Sequence, residues 1–67
     1  MPSAIRKFDY LADSRELVVT FITGRRYIYA DVPEAVVRRF RAATSKGGFF
    51  NRYIRDRYAY RELESQD

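Results

Sequence analysis

Residues 15–30, RELVVTFITGRRYIYA, contain two strand patterns separated by a short turn. Residues 15–22 are rich in the β-branched and aromatic side chains that pleated sheets favour, and residues 25–30 repeat this composition. Gly24 marks a hairpin turn between them, because glycine adopts positive φ angles without steric cost. The stretch therefore predicts an antiparallel β-hairpin, and the rest of the chain can be placed around it.

A further strand is predicted before this hairpin, at residues 4–10, where Phe8 and Tyr10 fall on the same side of an extended chain. Residues 11–14, LADS, separate this strand from the next and are typical of a turn, because Asp and Ser side chains bond to nearby backbone groups. Three consecutive strands joined by short turns form an antiparallel meander.

After the hairpin, the spacing of apolar residues becomes that of a helix. Residues 31–43 begin with Asp31 and Glu34 at the spacing of a capping box, and Pro33 is tolerated in a first helical turn. A second helix is predicted from about residue 48 to residue 57, with its aromatic and aliphatic side chains along one face. The predicted fold is α+β, in the order β-β-β-α-α, with both helices packed on one face of a three-stranded antiparallel β-meander.

The 67 residues are enough for one small domain, over residues 1–67, with little core to stabilise it. Eleven aromatic residues supply much of the apolar area, and self-association as a homodimer would add to it. We expect order over about residues 3–61 and fraying of the acidic tail at residues 62–67.

Cysteine and histidine are both absent, which argues against a metal or haem site and leaves no disulfide. A domain this small also leaves little room for a pocket. We therefore expect no catalytic site, no metal and no cofactor. No apolar run is long enough to cross a bilayer, and the first ten residues lack the apolar segment of a signal peptide. The sequence thus predicts a cytoplasmic protein that does not bind membranes.

Positive charge is concentrated in the second half of the chain. Residues 38–61 contain eight cations and one acid, a net charge of +7, whereas the remaining residues sum to −3. Eleven of the thirteen cations are arginine, whose planar guanidinium can bind a phosphate through two hydrogen bonds. A basic half on a small domain predicts a polyanionic partner, usually a nucleic acid, and the alternative is a solvated face that only maintains solubility.

Candidate phosphate ligands lie on both predicted helices and in the loop between them. Arg38 and Arg41 are three residues apart on the first helix, and Arg52 and Arg55 have the same spacing on the second, so each pair shares a helix face. The full set predicted to bind RNA phosphate is Arg38, Arg41, Lys46, Gly47, Gly48, Asn51, Arg52 and Arg55.

Several of these residues also have a purely structural interpretation. Gly47 and Gly48 can point backbone N–H groups at an anion, or they can end the first helix while Ser45 or Thr44 caps the second. Arg55 can pair with an acidic side chain and stabilise the fold. Asn51 can satisfy a loop backbone in the same way. The residues alone leave these alternatives open.

A set of landmarks runs along almost the whole chain. It includes Tyr10, the L-x-V-x-F of residues 17–21, the Y-x-Y of residues 27–29 and the Val-Pro of residues 32–33. The longest motif is S-K-G-x-F-F-N-x-x-I-R-x-x-Y at residues 45–58. Together these landmarks resemble the KTSC domain family, whose members occur at the C-terminus of some bacterial lysyl-tRNA synthetases and as small stand-alone proteins.

The resemblance implies a small α+β domain, and the fusion to a synthetase suggests RNA as the ligand, with tRNA preferred by analogy. One departure from the family is visible at Leu11 and Ala12, where members often have Asp-Pro, and it affects only the geometry of the first hairpin. We expect a small non-catalytic RNA-binding domain. The alternative is a protein-interaction module, an accessory or inhibitor protein that docks an acidic partner through an edge strand or through the arginine-rich helices.

The role of Tyr27 and Tyr29 depends on the register of the hairpin. A two-residue loop places both rings on the face opposite Leu17 and Val19, exposed as a stacking platform for single-stranded RNA bases. A three-residue loop or a bulge places both rings on the same face as Leu17 and Val19, in the core. The family pattern favours the core arrangement, because its alternate positions vary in character.

Overall fold

The computed structural model describes residues 4–63. The elements in chain order are β1 (Ile5–Leu11), β2 (Glu16–Phe21), β3 (Arg26–Tyr29), α1 (Glu34–Ala42), α2 (Lys46–Tyr53) and β4 (Tyr60–Leu63). The strands form one antiparallel sheet in the order β1-β2-β3-β4. The two helices contribute the buried side chains that pack on one face of this sheet. The α+β class and the two helices are as predicted.

The fourth strand corrects the predicted count of three. The second helix, predicted to reach residue 57, ends at Tyr53, and the chain then turns back along the free edge of β3. Tyr60 pairs with Tyr29, and its ring packs near the Tyr27 ring as well. β4 includes residues 62–63 of the tail expected to fray, and residues 64–67 lie outside the described residues.

The β2–β3 hairpin has a three-residue loop. Leu17 pairs with Tyr29 and Val19 with Tyr27, while Gly24 in the loop adopts a positive φ of 92°. Both tyrosines therefore share a face with the buried residues of β2, which is the core arrangement. The outward-facing platform that a two-residue loop would produce does not form.

The start of α1 differs from the predicted capping box. Pro33 is the N-cap residue, with φ of −65° and ψ of 148°, and no side chain bonds to the helix start there. Proline disfavours helical geometry in the residue before it, so Val32 stays outside the helix and Asp31 is too far back to cap. Asp31 instead adopts a left-handed φ of 57°. Glu34 becomes the first helical residue, where its charge interacts favourably with the helix dipole.

The start of α2 follows the structural interpretation given for Ser45. The Gly48 N–H donates to Ser45 Oγ at 3.1 Å, which makes Ser45 the N-cap. Gly47 and Gly48 lie in the first turn of α2, and the C-cap residue of α1 is Ala43 rather than a glycine.

The core lies between α1, α2 and the inner face of the sheet. Its fully buried side chains are Leu17, Val19, Val32, Val37, Phe40, Phe50 and Ile54. The Tyr10 hydroxyl donates to the Val32 carbonyl oxygen at 2.7 Å and ties β1 to the segment that leads into α1. Burying a side chain of this size contributes about 1.5–3 kcal/mol, so a few such residues account for much of the stability of a small domain.

The outer face of the sheet is polar at its edges and apolar at its centre. Val18, Thr20 and Ile28 are buried there. Lys7 pairs with Thr20, and Arg61 pairs with Ile28. We attribute the burial to the aliphatic stems of such long cations, which cover apolar surface while their charged ends remain in water.

Candidate nucleic-acid interface

The predicted phosphate ligands do not form one cluster. They are divided between the surface of α1 and α2 and a groove beside β3 and β4, and three of them, Lys46, Gly48 and Asn51, have structural partners instead. The geometry of each group decides which of them can bind an anion.

Three arginines on α1 and α2 lie over aromatic rings, and we call Arg39, Arg41 and Arg52 the helical arginine surface. The guanidinium carbon of Arg39 is 5.1 Å from the centroid of the Tyr53 ring, and that of Arg52 is 5.6 Å from the same ring. Arg41 lies 5.7 Å from the Phe8 ring centroid. A guanidinium held by cation–π attraction keeps its in-plane N–H donors available for a phosphate.

Arg38 is exposed and lightly held. Its Nη1 lies 3.9 Å from Oε2 of Glu34, one turn before it on α1, and both side chains are about two-thirds exposed. An ion pair of this kind contributes little to stability, so Arg38 can exchange its partner for a phosphate at little cost.

Lys46 caps the end of α1. Its Nζ donates to the carbonyl oxygens of Arg41 at 3.0 Å and of Ala43 at 2.6 Å. Two of its three N–H donors are thus used, and its charge compensates the negative end of the α1 dipole. The structure gives this predicted phosphate ligand a structural partner.

The first turn of α2, which contains Gly47 and Gly48, is also engaged within the protein. The Gly48 N–H is bonded to Ser45 Oγ, and a Cβ added at Gly48 would lie 3.0 Å from that oxygen. Asn51 Oδ1 lies 3.4 Å from Arg55 Nη1, so Asn51 orients a cation at the end of α2. An anion cradle made of the Gly48 N–H would first have to break the cap of α2.

A groove opens on the inner face of the sheet, between β3, β4 and the end of α2, and we call it the aromatic groove. Its volume is about 520 Å³. Its walls are formed by Phe21, Tyr27, Tyr29, Phe50 and Tyr60. Arg25, Arg55 and Asp56 also line it. The expectation that so small a domain leaves little room for a pocket is therefore wrong. The groove exists because the fourth strand extends the sheet beyond the end of α2.

The rings of the groove pack against one another at different depths. The Phe50 ring contacts Tyr29 edge-on, with centroids 5.5 Å apart, and Tyr60 lies 5.4 Å from Tyr29 on the solvent side. Tyr29 is 3% exposed and Tyr60 is 58% exposed. Burial, with the neighbouring Tyr60 and Tyr27 hydroxyls adding to it, raises the pKa of Tyr29 to about 12. Tyr29 is thus a neutral floor for the groove, and Tyr60 is an accessible wall.

The two arginines of the groove are weakly engaged. Arg25 Nε lies 3.9 Å from Glu62 Oε2, with side chains 67% and 46% exposed, and the Arg55 contact with Asn51 is at 3.4 Å. Both distances exceed the 2.7–3.2 Å of a good N–H···O hydrogen bond. The groove therefore offers flat apolar walls together with guanidinium donors for an anion.

Sequence reasoning identified three groove residues, Tyr27, Tyr29 and Arg55, and missed others. Arg25 shares its strand face with Tyr27, two residues on, and that alternation was a usable signal. Tyr60 could be placed only once β4 was known. Arg39 was missed because its position over the Tyr53 ring depends on how α1 packs against α2.

Other kinds of site are not found in the part of the chain that the structure describes. Within residues 4–63, no group of three or more acidic, His or Cys side chains could hold a metal ion. In the same residues, no helix has the length and apolar character needed to cross a membrane.

Comparisons with known proteins agree on one family. The KTSC domain profile matches residues 2–58. Lysine–tRNA ligases of Nostoc punctiforme and Trichormus variabilis are 33% and 31% identical over 61 residues. That match covers 91% of this chain but only 11% of each ligase. The crystal structure of a KTSC domain protein from Yersinia pestis superposes with a TM-score of 0.86 at 34% identity, covering 96% of this chain and 90% of that one.

Proposed function

The chain belongs to the KTSC domain family, and we propose that it is a small, non-catalytic, cytoplasmic domain that binds RNA through the helical arginine surface. Its relatives include lysine–tRNA ligases, so tRNA is the RNA to test first. The matching segment is only 11% of each ligase, and the catalytic activity of the ligases is not part of the proposal.

The observation that carries this proposal is the convergence of Arg39 and Arg52 on one ring. One comes from α1 and the other from α2, and both lie within 6 Å of the Tyr53 centroid. The two ion pairs found within residues 4–63 involve Arg25 and Arg38. Among these residues, therefore, no acidic side chain forms an ion pair with Arg39 or Arg52. Adjacent guanidiniums with unused donors suit consecutive phosphates of a nucleic acid backbone.

A non-catalytic role is proposed because His, the side chain that most often performs acid–base chemistry near neutral pH, is absent, and so is the nucleophile Cys. The pKa of Tyr29, at about 12, keeps its hydroxyl protonated and unsuited to act as a base. We therefore propose binding, rather than catalysis, as the role of the helical arginine surface.

The test is a titration of the protein into fluorescently labelled tRNA, single-stranded RNA and duplex DNA, followed by anisotropy at about 50 and 200 mM salt. We expect the tightest binding to tRNA, with a steep fall in affinity as salt rises. The double variant Arg39→Gln with Arg52→Gln should weaken binding. It should also reduce the slope of log affinity against log salt by about 2, because each arginine neutralises about one phosphate.

A matched control removes the same charge elsewhere. Lys7→Gln with Arg61→Gln takes two cations from the outer face of the sheet, at exposed positions on β1 and β4. It should leave most of the affinity and slope intact. Equal losses in the two double variants, or equally weak binding to all three nucleic acids, would mean that only overall charge matters, and the proposal would fail.

Protein interaction is the second candidate, and the position of β4 favours it. Among the described strands, β4 pairs only with β3, so its other edge presents backbone N–H and C=O groups to a partner strand. A partner bound in this way would have an affinity that depends little on salt and that the Arg39→Gln, Arg52→Gln variant leaves unchanged.

A further inference from the structure

We propose that the aromatic groove holds one unstacked nucleotide of a single-stranded RNA, with the base against Tyr60 and a phosphate at the rim formed by Arg25 and Arg55. This inference rests on the proposed RNA binding and adds to it a second surface, which contacts a base rather than the backbone alone.

The size and exposure of the groove favour a ligand. Its volume of about 520 Å³ lies within the 300–1,000 Å³ range of small-molecule sites. Two of the three large apolar side chains that are most exposed in residues 4–63, Ile22 at 66% and Tyr60 at 58%, line it. Exposed apolar surface gathered in one concave place is typical of a binding site rather than of a random surface.

The chemistry of the groove favours a ring that carries a negative charge. Aromatic faces bind nucleobases of any sequence by stacking, and arginine binds phosphate. An apolar ligand would desolvate Arg25 and Arg55 without replacing their hydrogen bonds. The lining contains two cations, Arg25 and Arg55, and one acid, Asp56, so its net charge of +1 disfavours a cationic ligand. The nearby Glu62 carboxylate already faces Arg25. A nucleotide satisfies the rings and the cations together.

The groove is also in reach of the helical arginine surface. Phe50 lines the groove, and Tyr53, three residues later on α2, carries Arg39 and Arg52. Three residues of helix rise by only about 4.5 Å, and residues at this spacing are neighbours on the helix surface. One strand of RNA can therefore place phosphates on the arginines and turn a base out of its stack into the groove, as single-stranded RNA readers do.

The experiment compares two labelled hexamers of equal charge, oligoadenylate and an abasic ribose-phosphate chain, at one low salt concentration. The natural protein should bind oligoadenylate at least about fivefold more tightly, because one base stacked on an aromatic side chain contributes that much or more. Tyr60→Leu removes the aromatic face but keeps an apolar side chain, and it should bring this ratio close to one without changing affinity for the abasic chain. Tyr60→Phe should retain the ratio.

Arg55→Gln is a second variant, at an exposed position, in case Tyr60→Leu affects folding. It should weaken oligoadenylate binding several-fold more than abasic binding, because a base stacked in the groove keeps the phosphate of the same nucleotide beside Arg55. Full retention of the ratio in a folded Tyr60→Leu variant, or in Arg55→Gln if Tyr60→Leu does not fold, would overturn the groove proposal.

Failure of the groove and failure of the proposed function give different results. If Arg39→Gln with Arg52→Gln weakens both hexamers equally while Tyr60→Leu has no effect, RNA binding stands and the groove proposal falls. If neither hexamer binds, adenosine monophosphate is titrated into isotope-labelled protein and followed by NMR. Shifts confined to Tyr27, Arg55 and Tyr60 would support a nucleotide site without RNA binding. Unchanged spectra would overturn the site as well.

Discussion

Both halves of the inner sheet face carry aromatic side chains, but the rings of one half are covered and those of the other line an open groove. Over β1 and β2, the Phe8 ring stacks on Phe40 at 4.1 Å, and α1 closes that half as core. Over β3 and β4, Tyr27 and Tyr60 line an open groove. The difference lies in what covers the rings rather than in the rings themselves.

The end of α2 decides where the cover stops. The carbonyl oxygen of Phe50 accepts hydrogen bonds from the N–H groups of both Ile54 and Arg55, at 3.0 and 2.9 Å, which closes the helix at Tyr53. Ile54 is fully buried and anchors the turn that follows. Aromatic composition alone therefore does not distinguish the covered half of the sheet face from the open groove, whereas the position at which α2 ends does.

The largest expected effect tests this division directly. Phe40→Ala should lower the free energy of unfolding by about 3–5 kcal/mol, because it empties a fully buried site. Tyr60→Ala should cost about 1 kcal/mol, since its ring is 58% exposed and only its packing on neighbouring rings is removed. Urea unfolding with fitted midpoints and slopes measures both. Similar losses would show that the groove half belongs to the core.

Much of this division follows from the sequence, and part of it does not. Local patterns predicted β1, β2 and β3 and the two helices, and they offered Ser45 as one of two possible caps of the second helix, because hydrophobic period and capping chemistry act over a few residues. β4 was missed because residues 60–63, YREL, have no strand pattern of their own. Their pairing depends on the edge of β3, which lies about thirty residues away in the chain.

The candidate site was harder to predict than the fold. The faces of Tyr27 and Tyr29 depended on one residue of loop length, since a one-residue slip reverses a strand. The groove could not be foreseen without β4. Lys46 was expected to bind phosphate because the sequence shows its positive charge. The two carbonyl oxygens that it caps lie at the end of α1, and the sequence does not show that contact.

Tyr29 lies at the boundary between the two halves, and the pH dependence of stability tests whether its hydroxyl is buried. Its pKa is near 10.0 in the unfolded chain and about 12 in the folded protein, so folding favours the protonated form. This contribution to stability is complete below pH 10 and is lost as pH rises from 10 to 12, by at most about 1.4 kcal/mol per pH unit. Melting of the natural protein and of Tyr29→Phe across this range should show a weaker alkaline loss in the variant. If the two proteins lost stability with pH in parallel, the Tyr29 hydroxyl would be as exposed to water in the folded protein as in the unfolded chain.

The cap of α2 affects both halves, since Phe49 of this helix stacks on Phe40 in the closed half and Phe50 lines the groove. Ser45→Ala removes the acceptor of the Gly48 N–H and should cost about 1 kcal/mol. Thr44→Ala, at the exposed position just before it, is the matched control and should change stability by less than about 0.5 kcal/mol. Equal effects in thermal melts would remove Ser45 from the cap.

The smallest effect separates a structural cation from a binding one. Lys46→Met keeps the length of the side chain but removes the charge that caps α1, so it should lower stability by about 0.5–1 kcal/mol. Its affinity for RNA should stay within about twofold, because two of the Lys46 donors already bond to carbonyl oxygens. Arg52→Gln should show the reverse, with stability almost unchanged and a salt slope lower by about 1. A lower slope in Lys46→Met would mean that the ammonium leaves its carbonyl partners for phosphate, and the arginine surface would then extend to the start of α2.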